Sequence, residues 1–85
     1  MKEFRYTVVN ELGMHARPAG MFAKLAKSHR SKIVIYKEDK SSDALRIMNV
    51  MRIGIRQGDM IRITADGEDE EQAIAQVEQT CRECL

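Results

Sequence analysis

Near the start of the chain Phe4, Tyr6 and Val8 alternate with Arg5, Thr7 and Val9, the period of two that marks a half-buried strand. That run ends in the turn-forming stretch Asn10 to Gly13. From Ala16 to Lys27 the period lengthens: Pro18, Met21, Phe22 and Leu25 gather on one side, and Arg17, Gly20, Lys24 and Lys27 on the other. This spacing predicts an amphipathic helix. Pro18 fits only its first turn, where a missing N–H would have had no intrahelical partner.

Lys32 to Tyr36 is rich in β-branched residues, and the charged turn Lys37 to Lys40 leads back into a short strand at Ser41 to Ala44, so a hairpin is expected. Ile47, Met48, Val50, Met51 and Ile53 predict a short apolar helix closed by Gly54. Gly58 and Asp59 turn into Met60 to Ala65, a strand with Ile61, Ile63 and Ala65 on one face, which Gly67 ends. A last helix follows, with Glu68 or Asp69 as its cap and Ala73, Ile74, Val77 and Cys81 as its buried stripe. The order β-α-β-β-α-β-α leaves connections too short for a parallel sheet. The expected architecture is α+β: two layers, a four-stranded antiparallel sheet with three helices on one face and solvent on the other.

At 85 residues the chain is expected to form a single domain, residues 1–85, with no deep substrate cleft. A hydrophobic fraction of 44% with 32% charged residues excludes a disordered or fibrous chain. The net charge of +1 gives no global pull toward nucleic acid or an anionic membrane, so charge recognition must be local. Without an apolar run of membrane-spanning length or a signal-peptide pattern, the cytoplasm is the expected compartment. Phe4, Phe22, Tyr6 and Tyr36 supply no stacking platform for RNA. Cys81 and Cys84 have the spacing of a redox or metal motif but sit at the end of the last helix, where a thiolate is disfavoured, and no second pair completes a zinc site. They read as helix-face residues, His29 as a solvated loop residue, and no metal or cofactor is expected.

Chemistry concentrates in Gly13-Met14-His15-Ala16-Arg17-Pro18-Ala19, which puts an imidazole where a loop becomes a helix. His15 falls at or beside the N-cap. The free N–H groups of Ala16 and Arg17, with the positive end of the helix dipole, make a ready anion site. The Arg17 guanidinium offers parallel hydrogen bonds to phosphate oxygens that an ammonium cannot match. A free imidazole titrates at roughly pH 6.5, so much of it is an uncharged nucleophile near neutrality. A phosphoryl group accepted on such a ring would be stabilised by the same donors, and a shallow, exposed site would leave it free to move on.

Gly13 followed by His15-Ala16-Arg17-Pro18-Ala19 resembles the active-site signature of the HPr family, the histidine phosphocarriers of the bacterial phosphoenolpyruvate-dependent sugar phosphotransferase system. The resemblance runs along the whole chain, with Ile47-Met48-Asn49-Val50-Met51, Gly54, Gly58 and Gly67-Glu68-Asp69-Glu70 at the family's spacing. It implies an open-faced β-sandwich of strand order 1-4-2-3. It also implies a non-enzymatic carrier, phosphorylated on Nδ1 of His15 by enzyme I and discharged to IIA proteins, with Arg17 steadying the phosphate. Docking is implied for helix one, through Gly20, Lys24 and Lys27, and for the short helix, through Ile47, Met48 and Met51; methionines suit a face that meets several partners in turn. A monomer is expected. One position departs from the pattern: where many Gram-positive relatives carry a regulatory serine, this chain has Arg46, which accepts no phosphate. The expected alternatives are therefore a carrier without the serine switch, with Arg46 and Arg52 aiding docking, or a regulatory or specialised paralogue of a nitrogen-type or other branch.

Overall fold

The computed structural model describes residues 1–85. In chain order the elements are β1 (Lys2–Thr7), α1 (Ala16–Lys27), β2 (Lys32–Lys37), β3 (Lys40–Asp43), α2 (Ile47–Arg52), β4 (Met60–Asp66) and α3 (Glu70–Cys84). The sheet runs β1-β4-β2-β3 with every pair antiparallel. Pairing puts Phe4 opposite Ile63, Tyr6 opposite Ile61, and Ile33 and Ile35 opposite Ala65 and Ile63, so one face of the sheet is apolar. There Ile33, Ile35, Ile61 and Ile63 are buried with Phe22, Val50, Val77 and Cys81 from the helices. Each such aliphatic side chain stabilises the fold by about 1.5–3 kcal/mol. The opposite face carries Arg5 and Arg62, both held by Glu3, with Arg62 stacked 4.0 Å from the Tyr36 ring centre. That face is solvated, as the two-layer expectation requires.

The hairpin is shifted by one residue from its expected place. Lys37 pairs with Lys40, leaving only Glu38 and Asp39 in the turn, and Glu38 takes a left-handed φ of 55°. Ala44, expected in the strand, instead donates its N–H to Ile33 O at 2.9 Å and is fully buried. In α3 the buried stripe is Ala73, Val77, Thr80, Cys81 and Cys84, while Ile74 is only half-buried. Both thiols are free and buried, and loss of hydration pushes Cys81 up to about 12, which suits the expected structural role.

His29 is a correction. It is half-buried, and its Nδ1 lies 2.9 Å from Leu25 O, so with Ser28 Oγ at 2.8 Å from the same oxygen it closes the end of α1. Asp69 is another. It stands at the N-cap of α3 but makes no side-chain cap bond. Its carboxylate accepts from Arg30 N at 2.9 Å, Ser31 N at 2.9 Å and Ser31 Oγ at 2.5 Å, fastening the entry to β2 onto the start of α3. The Ser31 hydroxyl and then the Arg30 N–H hold this carboxyl at about 2, below its ordinary 3.8. A depressed folded value means that the added stability is complete above 3.8 and is lost as pH falls through about 2. Asp69→Ala is therefore expected to lower the urea midpoint at pH 7, and the gap to wild type to close between about pH 4 and pH 2. Urea titrations of both proteins across that range check it.

Candidate functional site

His15 is the N-cap of α1, with extended backbone (φ −95°, ψ −172°), and its side chain makes no cap hydrogen bond. Its carbonyl accepts the first helical bond from Ala19 N at 3.1 Å. The N–H groups of Ala16 and Arg17 have no acceptor in the chain, and buried Pro18 has none to offer, so the dipole end is open to an anion. The half-buried imidazole sits beside exposed Ala16 and Arg17. Arg17 makes no salt bridge, which leaves its guanidinium available. None of the surface clefts is lined by His15 or Arg17, so the site is open surface.

What holds the loop before His15 comes from distant parts of the chain. Met14 is buried and donates its N–H to Ile55 O at 3.1 Å, and Gly13 turns with φ 61° against the Ile55–Arg56 backbone. Val9 N and Asn10 N donate to Leu85 O at 2.6 and 2.7 Å, and Asn10 Nδ2 donates to Cys84 O at 3.0 Å. Asn10 Oδ1 in turn accepts from Leu12 N at 2.8 Å. The end of α3 thus braces the loop, close enough to α1 that the Arg17 charge opposes the upward shift that burial imposes on the Cys84 thiol. None of these supports was legible from residue spacing.

The other expected residues fall around this point. Lys24 and Lys27 are exposed on α1, and Gly20 between them and Arg17 is open: a Cβ there would touch nothing within 4 Å. On α2, Val50 turns inward and Ile53 is buried, while Ile47 and Met48 are 39% and 62% exposed and Met51 is half-buried against the core. Helices α1 and α2 pack side by side, so these apolar side chains and the basic ones of α1 belong to one face. Exposed Leu12 and Leu45 add to the apolar surface near the two helices and were not singled out from the sequence. Arg46 is the exposed N-cap of α2. No acidic residue occurs in 12–37 or in 44–58. Arg17, Lys24, Lys27, Arg46 and Arg52 also find no ion-pair partner elsewhere in the chain. A chain of net charge +1 therefore carries a strongly basic face.

The family model described as the PTS HPr component phosphorylation site matches residues 2–83. Phosphocarrier protein HPr of Mycoplasma capricolum subsp. capricolum is 41% identical over 80 residues, which is 94% of this chain and 90% of that protein. Among solved structures, HPr-C-His from Thermoanaerobacter tengcongensis superposes with a TM-score of 0.89 at 36% identity, covering 96% of this chain and 92% of the other. An HPr dimer from the same organism gives a TM-score of 0.71 at 38% identity, covering 93% and 91%.

Proposed function

The chain belongs to the HPr family of phosphotransferase-system phosphocarriers, and from that footing we propose that it accepts a phosphoryl group on His15 from phosphorylated enzyme I and passes it to IIA proteins. The observation that carries this reading is the imidazole at the open end of α1, beside two unengaged N–H groups and an unpaired guanidinium.

In the transfer, a ring nitrogen of neutral His15, Nδ1 in the family's pattern, attacks phosphorus. The bond from phosphorus to the donor's leaving atom breaks as the new N–P bond forms. The negative charge that arrives with the phosphoryl oxygens is met by the N–H groups of Ala16 and Arg17 and by the Arg17 fork. An open site gives the acceptor's nucleophile access to the far side of the phosphorus, so the group leaves by the reverse motion. The chain turns nothing over by itself and is a carrier with a phosphohistidine intermediate.

Partners dock on the face formed by Gly20, Lys24, Lys27, Ile47, Met48 and Met51, with acidic surfaces steered by the basic rim. Arg46 removes serine-based control and adds to that rim. The site is complete within one copy, so a monomer suffices for the transfer. No helix is long and apolar enough to cross a membrane, and the cytoplasm is the proposed compartment.

Incubation with labelled phosphoenolpyruvate and enzyme I tests the reading. The expected product carries one acid-labile, alkali-stable label on His15. A chain that takes no label, or takes it on another residue, overturns the proposal.

A further inference from the structure

Lys37 ends β2 where the apolar face of the strand would continue. Ile33 and Ile35 before it are buried against the helices, and the period of two turns Lys37 to the same side. Its side chain is only 20% exposed. A lysine so placed buries its stem and carries its ammonium to the edge of the core. There Nζ donates to Gly54 O at 3.0 Å and meets Asp59 Oδ2 at 2.8 Å. The same Asp59 oxygen accepts from Arg56 N at 2.8 Å. These contacts, that of Lys37 first, hold the Asp59 carboxyl below its ordinary 3.8. Gly54 and Asp59 lie near the two ends of the connection from α2 to β4, so one ammonium ties that connection at both ends.

What lies between those ends is the support of the His15 loop. Ile55 O receives the Met14 N–H, and Gly13 packs so closely on Ile55 and Arg56 that no Cβ would fit. Gln57 Nε2 donates to Val9 O at 3.1 Å, Gly58 N to Val8 O at 2.8 Å, and Val8 N to Asp59 O at 2.9 Å. The chain from Val8 to Met14 is thus laid along the chain from Ile55 to Asp59, and Lys37 fastens the latter to the end of β2. Without the ammonium, Gly54 O loses its donor, and the Asp59 carboxylate keeps only Arg56 N, a partner within its own turn.

We propose that Lys37 is a positioning residue for phosphoryl acceptance: by closing the connection from Gly54 to Asp59 it fixes the Ile55 carbonyl on which the His15 loop is seated, and so sets where His15 stands at the start of α1. This inference rests on the carrier reading and adds to it a residue on a strand that touches neither the phosphoryl group nor the partner. The effect falls on the transfer step rather than on docking. Ile47 and Met48 stand in the first turn of α2, and the buried Val50 and Ile53 anchor that helix without help from Lys37. A misplacement on the order of 1 Å at a reacting centre slows a step by up to about a hundredfold. A loop that loses one of several supports should show a part of that loss.

The test is kcat and KM for the full chain as phosphoryl acceptor from enzyme I, with labelled phosphoenolpyruvate, at a temperature where every variant is folded. Lys37→Met keeps the length of the stem and loses the ammonium. It is expected to lower kcat by roughly five- to twentyfold and to leave KM within about twofold of wild type. Lys37→Arg keeps a cation with donors for both acceptors and should bring kcat back to within about threefold of wild type. Val77→Ala, a core truncation in the middle of α3, controls for lost stability: it should lower the urea midpoint and leave kcat within about twofold. The backbone amide NMR shifts of Met14 and His15 should move in Lys37→Met and stay in place in Val77→Ala. An unchanged kcat in Lys37→Met, a loss confined to KM, an equal kcat loss in Val77→Ala, no recovery in Lys37→Arg, or Met14 and His15 amides that do not move in Lys37→Met overturns the inference. Wild type that takes no label at all sinks the carrier reading, an outcome distinct from a labelled Lys37→Met that turns over at the wild-type rate.

Discussion

His15→Ala is expected to abolish phosphoryl acceptance, a loss of at least about a thousandfold, while leaving the protein as stable as wild type. The two halves of this expectation have separate causes. No other nucleophile stands at the open end of α1, since Ala16 and Pro18 carry none and Arg17 is permanently charged. The imidazole makes no cap hydrogen bond and is only half-buried, so its removal leaves no polar group stranded and opens no cavity in the core. The stability change should stay within about 0.5 kcal/mol. Labelling and urea titration on the same preparation check both, and residual label on the variant would mean that another residue accepts the group. Arg17→Lys belongs beside it. It keeps the charge and loses the fork, so it should be labelled more slowly, by roughly tenfold, without losing the label altogether.

Gly13→Ala should produce the converse: a stability loss that carries function away with it. Gly13 is buried with φ 61°, where an L side chain is strained by about 1–3 kcal/mol. A Cβ there would run into Ile55 O and come within 2.9 Å of Arg56 Cα, both backbone atoms that move only with the whole loop before β4. Ile55 O is also the acceptor for Met14 N, so the bond that seats the residue before His15 loosens at the same moment. The melting temperature should fall by roughly 5–20 °C for a domain of this size. Transfer should fall at temperatures where the variant is still folded, because the loop that positions His15 at the start of α1 has shifted. Thermal unfolding together with labelling at low temperature separates the two effects, and a variant that melts with wild type would show that the Gly13–Ile55 contact does not constrain the loop.

These two cases divide what residue order reveals from what it hides. The proposed nucleophile, the arginine and the open helix end lie within three consecutive positions, so their chemistry can be read without knowing the fold. Gly13 is visible as a turn glycine, but its reason is a carbonyl 42 positions away, and no local spacing points to it. Likewise Asp69 is a plausible helix cap until β2 and α3 are seen side by side, when Ser31 and Arg30 prove to be its partners. His29 differs from its expected solvated place for a smaller reason: its partner, Leu25 O, is one turn back in α1, yet a polar loop residue and a helix-closing residue look alike in sequence.

By itself, the sequence determined the seven elements and their order, the apolar faces of β1, α1 and β4, and the residue proposed to carry the phosphoryl group. Those follow from periods of two and 3.6 and from chemistry confined to one turn of chain. Only the tertiary structure decided the one-residue placement of the hairpin, the bracing of the His15 loop by Ile55 and the end of α3, and the side-by-side packing that brings the unpaired cations of α1 next to the exposed apolar side chains of α2. Each of these depends on which distant backbone groups satisfy one another once the isoleucine face is buried, a choice made by packing.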